Sequence, residues 1–230
     1  MVIGLLISMM LIFGNNFPVI HFTKVDSSKS SNSIVTLILS DLLNSPSHNR
    51  TILGNPRIIE CPYGNAVLFD GQDDAIVMDT NYLIGMNTFT IEIIMRPDSD
   101  GQREQRFLHL GEVRGDRVLV ETRTSNNTDW YLDAFIKSQE NKFTLVDSTK
   151  LHPLNQWYSI AFIVDRGSME TYVDGKFELS ANIPFIPFSR GETSIGVRLN
   201  RLNWFKGAIY KISIVPWKVD SNQLRNYEIR

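Results

Sequence analysis

Short runs in which apolar and polar residues alternate, broken every few positions by Gly, Pro, Asn or Asp, restrict this chain more than any other feature. Successive side chains of a β-strand point to opposite faces, so a period of two marks a strand with one buried and one solvated side. In Phe89-Thr90-Ile91-Glu92-Ile93-Ile94-Met95-Arg96, the residues Phe89, Ile91, Ile93 and Met95 share one face, and Pro97 ends the run. In Tyr131-Leu132-Asp133-Ala134-Phe135-Ile136-Lys137, the core face is Leu132, Ala134 and Ile136. Similar runs predict strands at 66–69, 107–110, 118–124, 143–147, 157–165, 169–173, 194–199 and 208–216. Helical periodicity is nearly absent. Many antiparallel strands, each with one core face, predict an all-β chain built as a two-sheet antiparallel sandwich.

The N-terminal end has a different character. Residues 1–13 are apolar apart from Gly4 and Ser8, and they stop at Gly14-Asn15-Asn16. About a dozen apolar residues are too few for a bilayer-spanning helix, which needs roughly 20, but they match the apolar stretch of an export signal. No Lys or Arg precedes the run, and a mobile or partly buried N-terminal element is the competing reading. Ser27 to Ser33 is Ser-rich and reads as a solvated linker. The expected organisation is therefore residues 1–33 as signal peptide and linker, 34–230 as one folded domain, and a secreted or periplasmic location with no membrane span in the mature chain. A formal net charge of -2 lacks the basic footprint of a nucleic-acid binder. Cys61 is the only cysteine, which excludes a disulfide scaffold and leaves it as a small hydrophobe expected to be buried.

Tight-turn signals at Asp165-Arg166-Gly167 and Asp174-Gly175 predict a three-stranded meander over 157–179. The same stretch carries a resemblance. Gln156 to Asp165, with Trp157 at its start, followed by Tyr172-Val173-Asp174-Gly175, resembles the W-x-H-V-A-x-V-Y-D … Y-V-D-G signature of laminin-G-like, concanavalin A-like jelly rolls. Ala66 to Asp74, reading A-V-L-F-D-G-Q-D-D, is similar to that family's opening block, and Phe89-Thr90-Ile91-Glu92 with Arg96-Pro97 to its second. Ser194-Ile195-Gly196 and Phe205-Lys206-Gly207-Ala208-Ile209 resemble its close. The four blocks occur in the family's order over roughly residues 35–228. The resemblance implies a jelly-roll fold used for glycan binding, adhesion, accessory roles beside glycoside hydrolases, and protein contacts; fold alone does not choose among them.

Alternation assigns a polar set to the outward face of the central strands: His109, Glu121, Arg123, Tyr131, Asp133 and Lys137, with Glu92, Arg96 and Arg198 as further candidates. On a concave sheet these groups would line a groove for a sugar chain, with Tyr131, Phe135 and Trp204 available for stacking on ring faces. The plain alternative is a solvated sheet surface with cross-strand charge pairs. The leading expectation is a non-catalytic module that binds a polysaccharide or glycoconjugate.

Two further classes stay open. A glycoside hydrolase or polysaccharide lyase would use Glu121, Asp133 and His109, since two carboxyls about 5–9.5 Å apart satisfy the distance such chemistry needs. The E-x-D-x-x-E strand motif of related glucanases is absent, however, because Glu121 is followed by Thr122-Arg123-Thr124. A protein-interaction or adhesion module would use a rim such as Arg201 to Lys206, which reads either as a recognition loop or as a plug over the core. No cofactor is expected. Asp70, Asp73 and Asp74 are candidate calcium ligands, but turn-forming aspartates give the same pattern, and Tyr210 stands where relatives place an acid in the last strand.

Overall fold

Wherever the alternation is regular, the chain forms strand. The computed structural model describes residues 33–45 and 49–224; the expected leader and His48 lie outside them. Sixteen strands follow in order: β1 (Val35–Ile38), β2 (Arg50–Leu53), β3 (Arg57–Cys61), β4 (Gly64–Asp70), β5 (Ala75–Met78), β6 (Thr88–Pro97), β7 (Glu104–Gly111), β8 (Arg117–Ser125), β9 (Asp129–Ser138), β10 (Asn141–Val146), β11 (His152–Pro153), β12 (Tyr158–Asp165), β13 (Ser168–Val173), β14 (Lys176–Asn182), β15 (Glu192–Ile195) and β16 (Lys206–Val215). One short helix, α1 (Leu39–Asn44), follows β1, and a single 3-10 turn covers Ser221–Gln223. No helix among the described residues is long and apolar enough to cross a membrane.

The strands form two eight-stranded antiparallel sheets. The first runs β14-β13-β12-β6-β16-β4-β3, with β1 also on β16; the second runs β10-β9-β8-β7-β15-β5-β2, with β11 also on β9. The predicted meander is the β12-β13-β14 edge of the first sheet. Its hairpins turn through left-handed backbone at Arg166 (φ 49°) with Gly167, and at Asp174 (φ 49°) with Gly175, conformations that Asp and Gly tolerate. Asp174 also accepts the Ser159 N–H at 2.9 Å, which ties the second turn back to β12.

Phe89, Ile91, Ile93 and Met95 of β6 face Leu132, Ala134 and Ile136 of β9 across one continuous core. Phe69, Phe107 and Phe205 meet there with ring centroids 5.4 to 6.3 Å apart, and Trp130 is fully buried. Burying one such ring contributes roughly 1.5–3 kcal/mol. One expectation changes: Cys61 is only half-buried, because β3 is an edge strand. His152 sits in β11 and contacts the Glu178 carboxylate at 2.7 Å.

Candidate functional site

Strands β7, β8 and β9 are neighbours in the second sheet, and their register decides which side chains meet on its outward face. Glu104 pairs with Arg123, Arg106 with Glu121 and His109 with Leu119; Glu121 in turn pairs with Asp133, and Arg123 with Tyr131. One local irregularity makes this arrangement possible. The register of β7 shifts between Arg106 and Leu108, so Phe107 is an extra residue, and both Phe107 and Leu108 enter the core. Strict alternation would put Glu104 and Arg106 on the same side as Leu108. The bulge rephases them onto the face that carries His109.

These groups form a continuous ionic network. Arg106 Nε donates to Glu121 Oε1 at 2.7 Å and its Nη2 to Glu104 Oε2 at 3.4 Å. Arg123 donates to Asp133 Oδ2 through Nε and to Glu104 Oε1 through Nη1. Asn203 Nδ2 reaches Glu104 Oε2 at 3.3 Å, attaching the loop before β16 to the network. Glu121 is 2% exposed and Asp133 1%, whereas the Glu104 side chain is 41% exposed. Burial, with the neighbouring Asp133 charge, pushes the Glu121 carboxyl up to about 7. Burial also raises Asp133 despite its arginine, and its second oxygen has no partner. For Glu104, partial burial is outweighed by Arg123 and Arg106, which hold it below the usual range.

His109 lies on this face by register but is 0% exposed, so the outward, accessible imidazole expected from alternation is corrected to a buried one. The Leu199 N–H donates to its Nδ1 at 3.2 Å, leaving Nε2 to carry the proton and donate to Glu112 O at 3.1 Å. Burial, reinforced by Arg198, Arg117 and Arg106, lowers its pKa to about 3. It is a neutral structural link between β7, the β7–β8 turn and the segment after β15.

Tyr131, Phe135, Arg123 and Lys137 are half-buried on this face, as are Glu104, Arg106 and Arg117. The Arg117 guanidinium lies 4.9 Å over the Phe135 ring. Glu92 and Arg96, grouped with these in the sequence reading, belong to β6 in the other sheet. Trp204 is half-buried beside Phe205, whose ring is in the core, while Arg201 and Leu202 of the same segment are exposed. Glu104, Arg106 and Arg117 escaped the sequence reading; the signal for the first two was the doubled apolar pair Phe107-Leu108 interrupting the alternation, and for Arg117 its even spacing from Glu121 and Arg123 in β8.

Asp70, Asp73 and Asp74 place one carboxylate oxygen each within 4.8 Å of one another. Asp70 Oδ1 accepts the amides of Gln72 and Asp73 at 2.8 and 3.2 Å, and Asp74 accepts those of Asn55 and Asp70 at 2.6 and 3.0 Å. The Asp70 and Asp74 carboxylates thus serve backbone amides of the turn.

Comparison with known proteins places this geometry in context. Among solved structures, domain 4 of the extracellular GH43 arabinanase AbnA from Geobacillus stearothermophilus, in complex with arabinotriose, is similar at TM-score 0.60 and 18% identity, over 76% of this chain and 85% of that one. The binding domain of Paraclostridial Mosquitocidal Protein 1 is similar at TM-score 0.59 and 12% identity, over 76% and 46%. The binding domain of botulinum neurotoxin DC in complex with SialylT gives 0.54 and 12%, over 75% and 44%, so this chain spans less than half of either toxin chain. At these identities the likeness is one of fold. No curated protein matches the chain. A model of the concanavalin A-like lectin/glucanases superfamily matches residues 70–222, more than half of the 230 residues, and the chain belongs to that superfamily.

Proposed function

We propose that this chain is a secreted, non-catalytic module that binds an extended polysaccharide or glycoconjugate along the outward face of β7, β8 and β9. One observation carries the reading: the ionic network, with Arg123 in it, holds the centre of that face rigid, while Tyr131 and Lys137 remain half-exposed beside it at strand spacing. Fixed donors and ring faces on a firm sheet suit an extended sugar, because little side-chain freedom is lost on binding. The fold's occurrence in an arabinanase domain in complex with arabinotriose supports the reading.

A hydrolytic reading has its own support. Glu121 and Asp133 stand directly opposite on adjacent strands, and a carboxyl raised to about 7 is suited to a general acid. Both carboxyls, however, lie beneath Arg106 and Arg123, which the substrate would have to displace. Native affinity electrophoresis of the full chain through gels containing neutral and uronate-rich polysaccharides, followed by staining for cleared substrate, tests both. Retardation without clearing is expected, and Tyr131→Ala with Lys137→Ala should abolish it while the melting transition persists. Clearing that Glu121→Gln removes would establish the hydrolase instead. No retardation across the panel would refute the glycan reading.

A further inference from the structure

Three guanidinium groups converge around buried His109 from three different elements. Arg106 comes from β7, Arg117 opens β8, and Arg198 follows β15. Arg117 Nη1 donates to Gly115 O at 2.7 Å and Arg198 Nη2 to Val113 O at 3.1 Å, so both are anchored on the turn between β7 and β8. That turn also receives the His109 ring at Glu112 O.

Their charge balance is uneven. Arg106 has the Glu121 carboxylate, but among the described residues Arg117 and Arg198 each hydrogen-bond a neutral carbonyl, Arg117 also lies over Phe135, and a buried Nε of each lacks an acceptor. Carbonyls orient a guanidinium without cancelling its charge. Nearby carboxylates are engaged elsewhere: Glu112 with Arg190 at 2.9 Å, and Asp116 with the Gln139 backbone and side-chain amides. His109 offers no negative charge. Burial and repulsion from neighbouring guanidiniums lower the proton affinity of both Arg117 and Arg198, and the attraction of Glu121, joined at Arg117 by Asp116, does not offset this. An open cleft adjoins Arg198, lined also by Thr51, Val77, Glu192, Ser194 and Arg201.

We infer that Arg117 and Arg198 form a carboxylate-binding subsite, so the sugar chain bound on this face is a uronate polymer whose acid group docks at the β7–β8 turn. The planar fork of arginine matches a carboxylate in two hydrogen bonds, and a partly buried site screens the attraction little. Glu192, exposed on the far side of the cleft, opposes the anion and limits its affinity. This inference rests on the polysaccharide reading of the same face.

The test uses the full chain and three probes, polygalacturonate, alginate and hyaluronan, each compared with its carboxyl-reduced counterpart. At least one acidic polymer should be retained about tenfold more strongly than its reduced form. Arg198→Gln should lose that tenfold preference, Arg117→Lys should lose most of it because the charge stays but the fork does not, and Glu192→Gln should strengthen retention. Arg57→Gln, on the edge strand of the other sheet, should change nothing. Equal retention of acidic and reduced polymers, or a preference that survives both arginine variants, overturns the subsite and leaves the polysaccharide reading standing. An equal loss from Arg57→Gln overturns it too, as diffuse charge attraction. If neither acidic nor neutral polymers are retained, both fall. Should Arg198→Gln fail to fold, the Glu192→Gln gain decides, because that residue is exposed.

Discussion

Replacing Glu121 by Gln should expose two opposing titrations that nearly cancel in the native protein. Glu121 has a folded-state pKa of about 7 against an ordinary 4.5, so between those values the folded state holds a proton that the unfolded chain has released. Stability then falls as pH rises, by about 1.4 kcal/mol per unit, and the contribution present below pH 4.5 is lost by pH 7, roughly 3 kcal/mol in all. His109 has the opposite sign. Its pKa is lowered from 6.5 to about 3, so below pH 6.5 the unfolded chain binds the extra proton, and its stabilisation is lost as pH falls toward 3. The two slopes overlap and oppose each other between pH 4.5 and 6.5. Glu121→Gln removes the falling slope and leaves that of the histidine, so the stability of the variant relative to the native protein should climb by about 3 kcal/mol across that window. Gln keeps an oxygen for Arg106, so the bond is retained and the titration removed. Urea denaturation at half-unit steps from pH 4 to 8 reads the difference between variant and native protein, in which titrating groups uncoupled to Glu121 drop out. A difference that stays constant across the range would show that Glu121 ionises as an ordinary carboxylate, and the account of a desolvated acid beneath Arg106 would be wrong.

Gly196 sits at φ 90°, and a Cβ there would lie 2.6 Å from the Phe69 ring and 2.8 Å from Asp74 O. Gly196→Ala should therefore cost about 2–4 kcal/mol in urea denaturation, and a change below 0.5 kcal/mol, roughly the effect of a neutral surface substitution, would refute the packing described. For the Asp70 turn, millimolar calcium should shift the melting temperature by less than about 2 °C relative to chelator, because its carboxylates already serve backbone amides. A rise of several degrees would install an ion there.

Period-two patterning was enough to place Phe89, Ile91, Ile93 and Met95 in the core, and Asp-Gly turns enough to place the β12-β13-β14 meander, because both are local consequences of backbone geometry. The same patterning put Glu121, Arg123, Tyr131 and Asp133 on one face. It missed the order of strands and the depth of the face. Two features needed the assembled sheets. The extra residue at Phe107 reverses the phase of β7, moving Glu104 and Arg106 to the outward side, and a bulge is selected by pairing with β8 rather than by its own residues. His109 was legible as outward but not as buried, since the local β7–β8 turn is joined over it by Leu199 and Arg198, which come from a segment distant in the chain. Alternation reports which way a side chain points; whether water reaches it depends on what long-range folding lays on top.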